Sequence, residues 1–176
     1  TGVSRTYPNL LSHEAVMSSE YNRFVNVKQG DPLENGKDSY GSPPEHEMIY
    51  VWVRQLAGPT DVHPGSFNPV LPQDFNPQSD GLRAMGTLAR QLAQYVVVES
   101  GASMVADSPD EYRLHPEAFE FLKNIPSRWD ESRFVGGEIG QSVAVARRNG
   151  QDWFLGCMTD RQSRALNISL NFLGKG

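Results

Sequence analysis

The sequence predicts an α/β fold in which part of a (β/α)8 barrel is followed by an antiparallel β-sandwich-like domain, truncated at both ends. A continuous apolar run at residues 48–53 is typical of a strand buried on both faces, as in a parallel sheet. Helical spacing of apolar residues follows from about residue 79, and from about residue 128 the apolar period drops to two. We therefore predict a barrel part over residues 1–126 and the start of a β domain over residues 127–176.

The predicted strand at residues 48–53 runs directly into a polar Gly/Pro loop at residues 57–65. Barrel enzymes place functional groups in such loops, at the carboxyl ends of their strands. Asp61 lies in this loop and is a candidate functional residue. Asp beside Pro and Gly is also ordinary turn chemistry, so a purely local role is the alternative.

The middle of the chain predicts helices. Ser79 and Asp80 can cap a first helix, and the sequence from Ser108 to Glu111 has the pattern of a capping box with Pro at the first helical position. Pro116 is expected to restart or kink the second helix. The apolar stripe of the first helix recurs at intervals of three and four, at Leu82, Met85, Leu88, Ala89, Leu92 and Val96.

The last part of the chain predicts an antiparallel meander. Asn149-Gly150 is a strong signal for a type I′ hairpin turn, and Trp153 begins the return strand. Polar residues alternate with Leu166, Ile168, Leu170 and Phe172, which predicts one more strand. Three or four strands make only half of a sandwich, so this domain is expected to be incomplete.

Charge and composition exclude two classes of partner. Lys and Arg total 16 against 21 Asp and Glu, and no basic run is present, so a nucleic-acid partner is not expected. The longest apolar run is too short for a membrane span.

Cys157 is expected to be a small core residue, and Arg147-Arg148 a solvated pair. The chain opens without Met or an apolar leader, so we expect that its true beginning is missing.

The densest cluster of reactive groups contains Glu14 and Glu20, which lie six positions apart. On a continuous helix the two carboxylates would point away from each other, so they converge only on a loop or on a loop that runs into a short helix. Convergent carboxylates can bind a hard cation or transfer a proton to a glycosidic oxygen. Two solvated glutamates on an exposed loop are the alternative that spacing alone favours.

The first ten residues, Thr-Gly-Val-Ser-Arg-Thr-Tyr-Pro-Asn-Leu, resemble a hallmark motif of glycoside hydrolase family 97. Within the loop after the predicted strand, Thr60, Val62 and His63 replace the usual Met, Tyr and Thr of that family, which puts the sugar specificity in doubt. The resemblance continues in order along the chain, through Glu14, Glu20-Tyr21 and the segments 57–65, 104–112, 129–133 and 153–160.

This resemblance implies a calcium-dependent glycosidase in which Glu20 is the catalytic acid and Glu14 and Glu20 are calcium ligands. Arg5, Asp61 and His63 lie in the matched motifs and are expected to bind the substrate. The pair Glu20-Tyr21 and the run at residues 153–160 are more similar to the glucosidase branch, which implies an oligosaccharide or α-glucoside substrate and cleavage with inversion. The family also implies export to the periplasm or secretion.

Three alternatives stay open from the sequence. The chain can belong to a retaining α-galactosidase of the same family, because the upstream carboxylate that separates the two mechanisms is not in this sequence. It can also belong to a non-catalytic relative that only binds glycans, or be a structural domain without a ligand. In each case we expect the 176 residues alone to lack hydrolase activity, because part of the barrel and a required carboxylate are missing.

Overall fold

A computed structural model describes residues 6–24, 42–80 and 83–174 of the chain. Within these ranges lie five α-helices and three β-strands, joined by loops and short 3-10 turns. The helices are α1 (Pro44–Val53), α2 (Pro77–Asp80), α3 (Leu88–Val97), α4 (Pro109–Leu114) and α5 (Pro116–Asn124), and the strands are β1 (Glu131–Glu138), β2 (Ser142–Asn149) and β3 (Asp152–Thr159). The 3-10 segments are Ser19–Phe24, Arg54–Ala57, Pro72–Asp74 and Asn171–Leu173.

Residues 48–53, predicted as a buried strand, form the second half of helix α1 instead. Pro44 occupies the first turn, and Glu45 and Glu47 follow it, which favours a helix start because carboxylates stabilise a helix amino terminus. Burial follows the helix, since Met48 is fully buried whereas Ile49 is 51% exposed. The prediction was wrong because a six-residue apolar run is too short for its period to be read.

Parallel backbone pairing does occur in the region predicted as a barrel. His13 and Thr60 form a parallel bridge, and the Thr60 amide donates to the Glu99 carbonyl at 2.8 Å. The chain around Thr60 therefore runs between two other extended segments. In the described ranges these pairings are isolated bridges, so the (β/α)8 barrel stays a prediction at this point.

The first predicted helix is shorter than expected and begins later. Ser79 and Asp80 belong to the single turn α2, and the long helix α3 starts only at Leu88, where Thr87 accepts a hydrogen bond from the Arg90 amide at 3.2 Å. Between the two, Gly86 has a φ of 134° and its amide donates to the Val70 carbonyl, which interrupts helical geometry. Leu82, assigned to this helix from the sequence, lies outside the described residues.

The second pair of helices agrees with the sequence. Ser108 caps α4 by accepting a hydrogen bond from the Glu111 amide at 3.3 Å, Pro109 is its first residue, and Pro116 begins α5. The two helices are joined by stacking between Tyr112 and Phe119, whose ring centres lie 5.0 Å apart. The predicted capping residue and helix restart are confirmed.

The three strands form one antiparallel sheet in the order β1-β2-β3. The hairpin between β2 and β3 lies where the sequence predicts it, with Asn149 opposite Asp152. Of the two loop residues only Gly150 has a positive φ, at 59°, whereas a type I′ turn needs a positive φ at both. The turn type is therefore wrong, and the pattern is that of a type II′ turn.

The alternating run at residues 166–172 forms no strand and packs on the sheet through side chains. Phe172 is buried with its ring centre 5.0 Å from that of Trp153, and Ile168 lies against Gly136. The run ends in the 3-10 turn Asn171–Leu173. Burial along the run is uneven, since Phe172 is buried whereas Leu170 is 54% exposed, and no backbone pairing accompanies it. The described β region is therefore a three-stranded sheet, and the predicted sandwich is not shown.

The sheet packs directly on helix α3 through strands β2 and β3. A Cβ placed on Gly156 would lie 2.8 Å from the Cβ of Val96, so the backbone of β3 approaches the helix closely. Gly156 and Met158 face inward, and Cys157 between them points outward and is exposed, contrary to the prediction that it lies in the core. Strand alternation explains this correction.

Arg147, predicted to be half of a solvated pair, is only 4% exposed. Its guanidinium donates to the carbonyls of Val96 and Val97, at 2.6 and 3.2 Å, and so satisfies the last turn of α3. Arg148 agrees better with the prediction, since a third of its side chain is exposed. The sequence could not separate the two, because neighbouring strand residues look alike until the buried face is known.

Arg90 makes a second link between the helices and the sheet. It forms an ion pair with Glu47 at 2.7 Å and donates to the carbonyls of Pro44 and Thr159, with both charged side chains almost fully buried. Helix α1, helix α3 and strand β3 therefore meet at one guanidinium.

None of the helices in the described ranges combines the length and apolarity needed to cross a lipid bilayer.

Candidate functional site

The segment that carries Glu14 and Glu20 is a loop that runs into a short 3-10 helix, Ser19–Phe24. Its first part is fixed by the bridge to the loop around Thr60, where the Asp61 amide donates to the His13 carbonyl at 2.8 Å. Ala15 has a φ of 69°, rare for a residue other than glycine, and turns the chain directly after Glu14. The segment is thus a loop that runs into a short helix, which is the arrangement in which we expected the Glu14 and Glu20 carboxylates to be able to converge.

Glu20 lies against His63. Its Oε2 is 2.6 Å from the His63 Nδ1 but is itself buried and makes no hydrogen bond with the described residues, whereas 30% of the Glu20 side chain and 25% of the His63 side chain are exposed. The serines before Glu20 hold the backbone of His63: its amide donates to the Ser18 hydroxyl, and the Ser19 hydroxyl donates to its carbonyl, both at 2.7 Å. The loops of Glu20 and His63 are therefore joined by a carboxylate–imidazole contact and two hydrogen bonds.

Glu14 shares its surroundings with Glu20 through Tyr21. The Tyr21 hydroxyl donates to the Glu14 Oε1 at 3.0 Å. This hydrogen bond and the negative charge of Glu14, followed by desolvation and then by the charge of Glu20, raise the pKa of Tyr21. Arg54 supports the same turn by donating to the carbonyls of His13 and Glu14, at 2.7 and 2.9 Å. Both carboxylates thus act on one phenol.

His46 on helix α1 holds the middle of this loop. Its Nε2 accepts a hydrogen bond from the Met17 amide at 3.3 Å, and its ring packs against Tyr50. Burial lowers the pKa of His46, which is consistent with a neutral ring that can accept this bond. Sequence reasoning missed Ser18, His46 and Arg54, because their importance depends on contacts between segments far apart in the chain.

The remaining predicted site residues are placed differently. Asp61 is linked to the site by the hydrogen bond from its backbone amide to the His13 carbonyl. Its side-chain Oδ1 is buried and accepts no hydrogen bond from the described residues. A buried acceptor without a partner is uncommon and is consistent with a role in holding a ligand. Arg5, also predicted to bind substrate, lies outside the described residues.

Glu14 and Glu20 offer the donor chemistry that calcium prefers, since it takes about six to eight oxygen ligands. Within the described ranges no group of three or more His, Cys, Asp or Glu side chains is arranged to hold a metal ion. The two carboxylates could therefore supply only part of such a site. One of them, Glu20, also contacts an imidazole, so it would share its carboxylate between the two.

Comparison with known proteins places this geometry in a family. A family model described as "Glycosyl-hydrolase 97 C-terminal, oligomerisation" matches residues 128–176. A retaining alpha-galactosidase of Bacteroides thetaiotaomicron is 33% identical over 98% of this chain and 24% of its own length. Two solved structures of a glycoside hydrolase family 97 enzyme from Pseudoalteromonas sp. strain K8, with acarbose and with panose, are 37% and 35% identical, each with a TM-score of 0.75 over 99% of this chain and 25% of theirs.

The class defined by these matches is that of the glycoside hydrolases. The chain belongs to glycoside hydrolase family 97, as the motifs around Glu14 and Glu20 imply. It spans about a quarter of the length of the relatives that it matches.

Proposed function

We propose that this chain is part of an enzyme that cleaves terminal α-glucosidic bonds, with Glu20 as the general acid. The observation that carries the proposal is the Glu20 side chain, which is 30% exposed and lies 2.6 Å from His63 on a loop that Ser18 and Ser19 bind to the backbone of His63. A general acid needs a carboxyl group that is reachable by substrate and held in one orientation. Glu20 combines these properties.

In the proposed reaction, the Glu20 carboxyl gives its proton to the glycosidic oxygen as the bond from that oxygen to the sugar breaks. Inversion requires a second carboxylate, about 6.5–9.5 Å from the first, that activates a water molecule on the opposite face of the sugar. We assign this base to no residue of the described ranges. Asp61, with its unpartnered buried oxygen, is proposed to bind the substrate, as is Arg5 from its motif.

Calcium is part of the proposal, with Glu14 and Glu20 as two of its ligands. When bound, the ion would supply positive charge that stabilises neighbouring carboxylates in their ionised form. Such a cation opposes the retention of a proton on Glu20, and the contact with His63 offers an additional way to hold that carboxyl in place. Removal of calcium by a chelator should lower the melting temperature of the intact protein, and an unchanged melting temperature would argue against this part.

The architecture and the location are proposed with the function. The parallel bridge of His13 with Thr60, and the hydrogen bond from the Thr60 amide to the Glu99 carbonyl, support three neighbouring segments of a (β/α)8 barrel, of which the first two are parallel. Helices α1 and α3 lie between these segments in the sequence, as barrel topology requires. We propose a periplasmic or secreted location from the family resemblance.

The substrate has a second candidate within the same family. The similarity to the enzyme seen with panose, an oligosaccharide of α-linked glucose, supports an α-glucoside. The similarity to a retaining alpha-galactosidase supports an α-galactoside and retention of configuration. Proton NMR of the first sugar anomer released from aryl α-glucoside and aryl α-galactoside would separate the two, because inversion and retention give opposite anomers.

The deciding experiment is Glu20→Gln in the intact protein that carries this chain. Loss of a general acid should reduce kcat on glycosides with poor leaving groups by about 10²–10⁴-fold. Glu117→Gln, at an exposed position on α5, is the matched control and should leave kcat unchanged. Near-normal turnover by Glu20→Gln would remove Glu20 from catalysis, and glycan binding without turnover by the unaltered protein would identify a non-catalytic relative.

A further inference from the structure

We propose that Tyr95 is a positioning residue for the substrate-binding loop, defined here as residues 61–65, and that its hydroxyl fixes this loop against a second loop at residues 99–106. The inference rests on the proposed function, because it takes Asp61 and His63, both predicted to bind the substrate, to act from the first loop. Tyr95 itself belongs to neither loop, since it lies on helix α3.

The first support is the position of the Tyr95 hydroxyl between the two loops. Its oxygen lies 2.7 Å from the Met104 carbonyl oxygen and 3.2 Å from the Pro64 carbonyl oxygen. A phenol has one hydrogen, so the two carbonyls share it, and the shorter distance favours Met104. Tyr95 is 6% exposed and burial raises its pKa, so the hydroxyl keeps this hydrogen and acts as a donor.

The second support is that backbone hydrogen bonds join the same two loops. The Thr60 amide donates to the Glu99 carbonyl at 2.8 Å, directly before the substrate-binding loop begins, and the Ala106 amide donates to the Pro64 carbonyl at 3.1 Å. Pro64 directly follows His63, so a shift of the Pro64 carbonyl moves the backbone from which the imidazole extends. Tyr95 acts at this second junction.

The third support is the close approach of Gly65 to the same hydroxyl. Gly65 has a φ of 93°, and a Cβ placed on it would clash with the Tyr95 hydroxyl oxygen. The next nearest atoms, the Ala106 amide nitrogen and the Tyr95 Cζ, are both 3.4 Å from that Cβ, which is an ordinary contact distance. The hydroxyl is therefore the atom that excludes a side chain at position 65, apart from the cost of the positive φ.

Two more buried side chains hold the end of the substrate-binding loop. The Tyr112 hydroxyl donates to the Gly65 carbonyl at 3.0 Å, and the Gln91 Oε1 accepts from the Gly65 amide at 3.1 Å. Tyr95 adds the bond to the second loop. A loop that is already held in place has less freedom to lose when the substrate binds, so removal of the Tyr95 hydroxyl should weaken substrate binding.

The experiment replaces Tyr95 by Phe in the intact protein and measures kcat and KM on para-nitrophenyl α-glucoside and α-galactoside. We expect KM to rise about 3–10-fold on the glycoside that is cleaved, with kcat within about twofold. If the intact protein binds these glycosides without turnover, their Kd replaces KM. Thr87→Ala is the matched control, because it removes the cap of the same helix and leaves both loops unaltered. It should lower the melting temperature without a change in KM.

Gly65→Ala gives a signature that a purely structural role of Tyr95 would not produce. In the otherwise unaltered protein its Cβ meets the Tyr95 hydroxyl, and KM should rise about 10-fold or more. In the Tyr95→Phe background that oxygen is absent, so Gly65→Ala should raise KM by less than about threefold. The positive φ at position 65 is present in both backgrounds, so the difference isolates the hydroxyl.

Four outcomes would overturn the proposal: an unchanged KM in Tyr95→Phe, a loss confined to kcat, an equal rise of KM in Thr87→Ala, or additive effects of Tyr95→Phe and Gly65→Ala. Asp61→Asn separates the inference from the proposed function. If Asp61→Asn raises KM and Tyr95→Phe does not, only the inference fails. If neither raises KM, the proposed substrate-binding role of this loop fails and the inference with it. Should Gly65→Ala not fold, the comparison of Tyr95→Phe with Thr87→Ala decides alone.

Discussion

Replacement of Arg147 by Met gives the sharpest test of how the sheet is attached to the helices. Arg147 is 4% exposed and donates from its guanidinium to the carbonyls of Val96 and Val97 at the end of helix α3. Met retains the apolar stem and removes all donors. The two carbonyls then lose their partner in a place that water reaches poorly, which is costly.

The magnitude follows from these contacts. Each hydrogen bond from a charged donor contributes about 1.5–3 kcal/mol, so two of them set a range of about 3–6 kcal/mol. Removing the guanidinium from water is unfavourable and offsets part of this stabilisation. The same burial lowers the pKa of Arg147 from its ordinary value. We therefore expect a loss of about 3 kcal/mol in the free energy of unfolding, which corresponds to roughly 6–12 °C in Tm for a chain of this size.

Urea and thermal unfolding followed by circular dichroism would measure this loss. The neighbouring substitution Arg148→Met is the matched control, because the Arg148 side chain is about a third exposed and donates to Glu131 and to the Gly150 carbonyl at the surface. It should cost less than about 1 kcal/mol. Equal shifts for the two variants would refute the assignment of Arg147 to the end of α3.

Two further predictions concern single buried contacts. Burial lowers the pKa of His46 in the folded protein below its ordinary value of 6.5. As the pH falls below 6.5, the unfolded chain therefore binds this proton before the folded protein does. The free energy of unfolding accordingly decreases as the pH falls from 6.5 toward the folded pKa. His46→Gln, which can still accept from Met17, should flatten the decline in urea midpoint between about pH 7.5 and 5.5, and an equal decline in both proteins would contradict this. Gly156→Ala places a Cβ 2.8 Å from the Cβ of Val96 and should destabilise the protein by about 1–3 kcal/mol in urea unfolding, whereas Cys157→Ala in the same strand should change it by less than about 0.5 kcal/mol.

The sequence predicted best where a local interaction decides the structure. The cap at Ser108, the helix start at Pro116 and the hairpin after Asn149 are all set by residues within a few positions of each other. Such signals need no knowledge of the rest of the fold. They are confirmed for that reason, and only the class of turn at the hairpin differs.

The sequence failed where burial and backbone pairing are decided by distant segments. The apolar run at residues 48–53 could pack as a strand or a helix, and the proline that starts helix α1 decided it. The alternating run at residues 166–172 forms no strand and packs on the sheet through side chains such as Phe172, while Leu170 is 54% exposed. Period alone leaves open both which of these residues are buried and how their backbone is bonded.

The candidate site divides in the same way. The resemblance singled out Glu14, Glu20 and His63, and the structure brings Glu20 and His63 into contact and places both glutamates around Tyr21. The serines that join the two loops carry no motif of their own. Their role appears only once segments some forty-five positions apart in sequence are seen side by side.

The close approach of strand β3 to helix α3 has a mechanical consequence. Between Gly156 and Val96 there is no layer of side chains that could slide, and Arg90 bonds both to the β3 carbonyl of Thr159 and to Glu47 on α1. We expect that, after a protease cut in the link between α5 and β1, the helices and the sheet would stay bound to each other through these contacts. The sheet and the helices are therefore expected to move as one unit, although the sequence pattern changes between them.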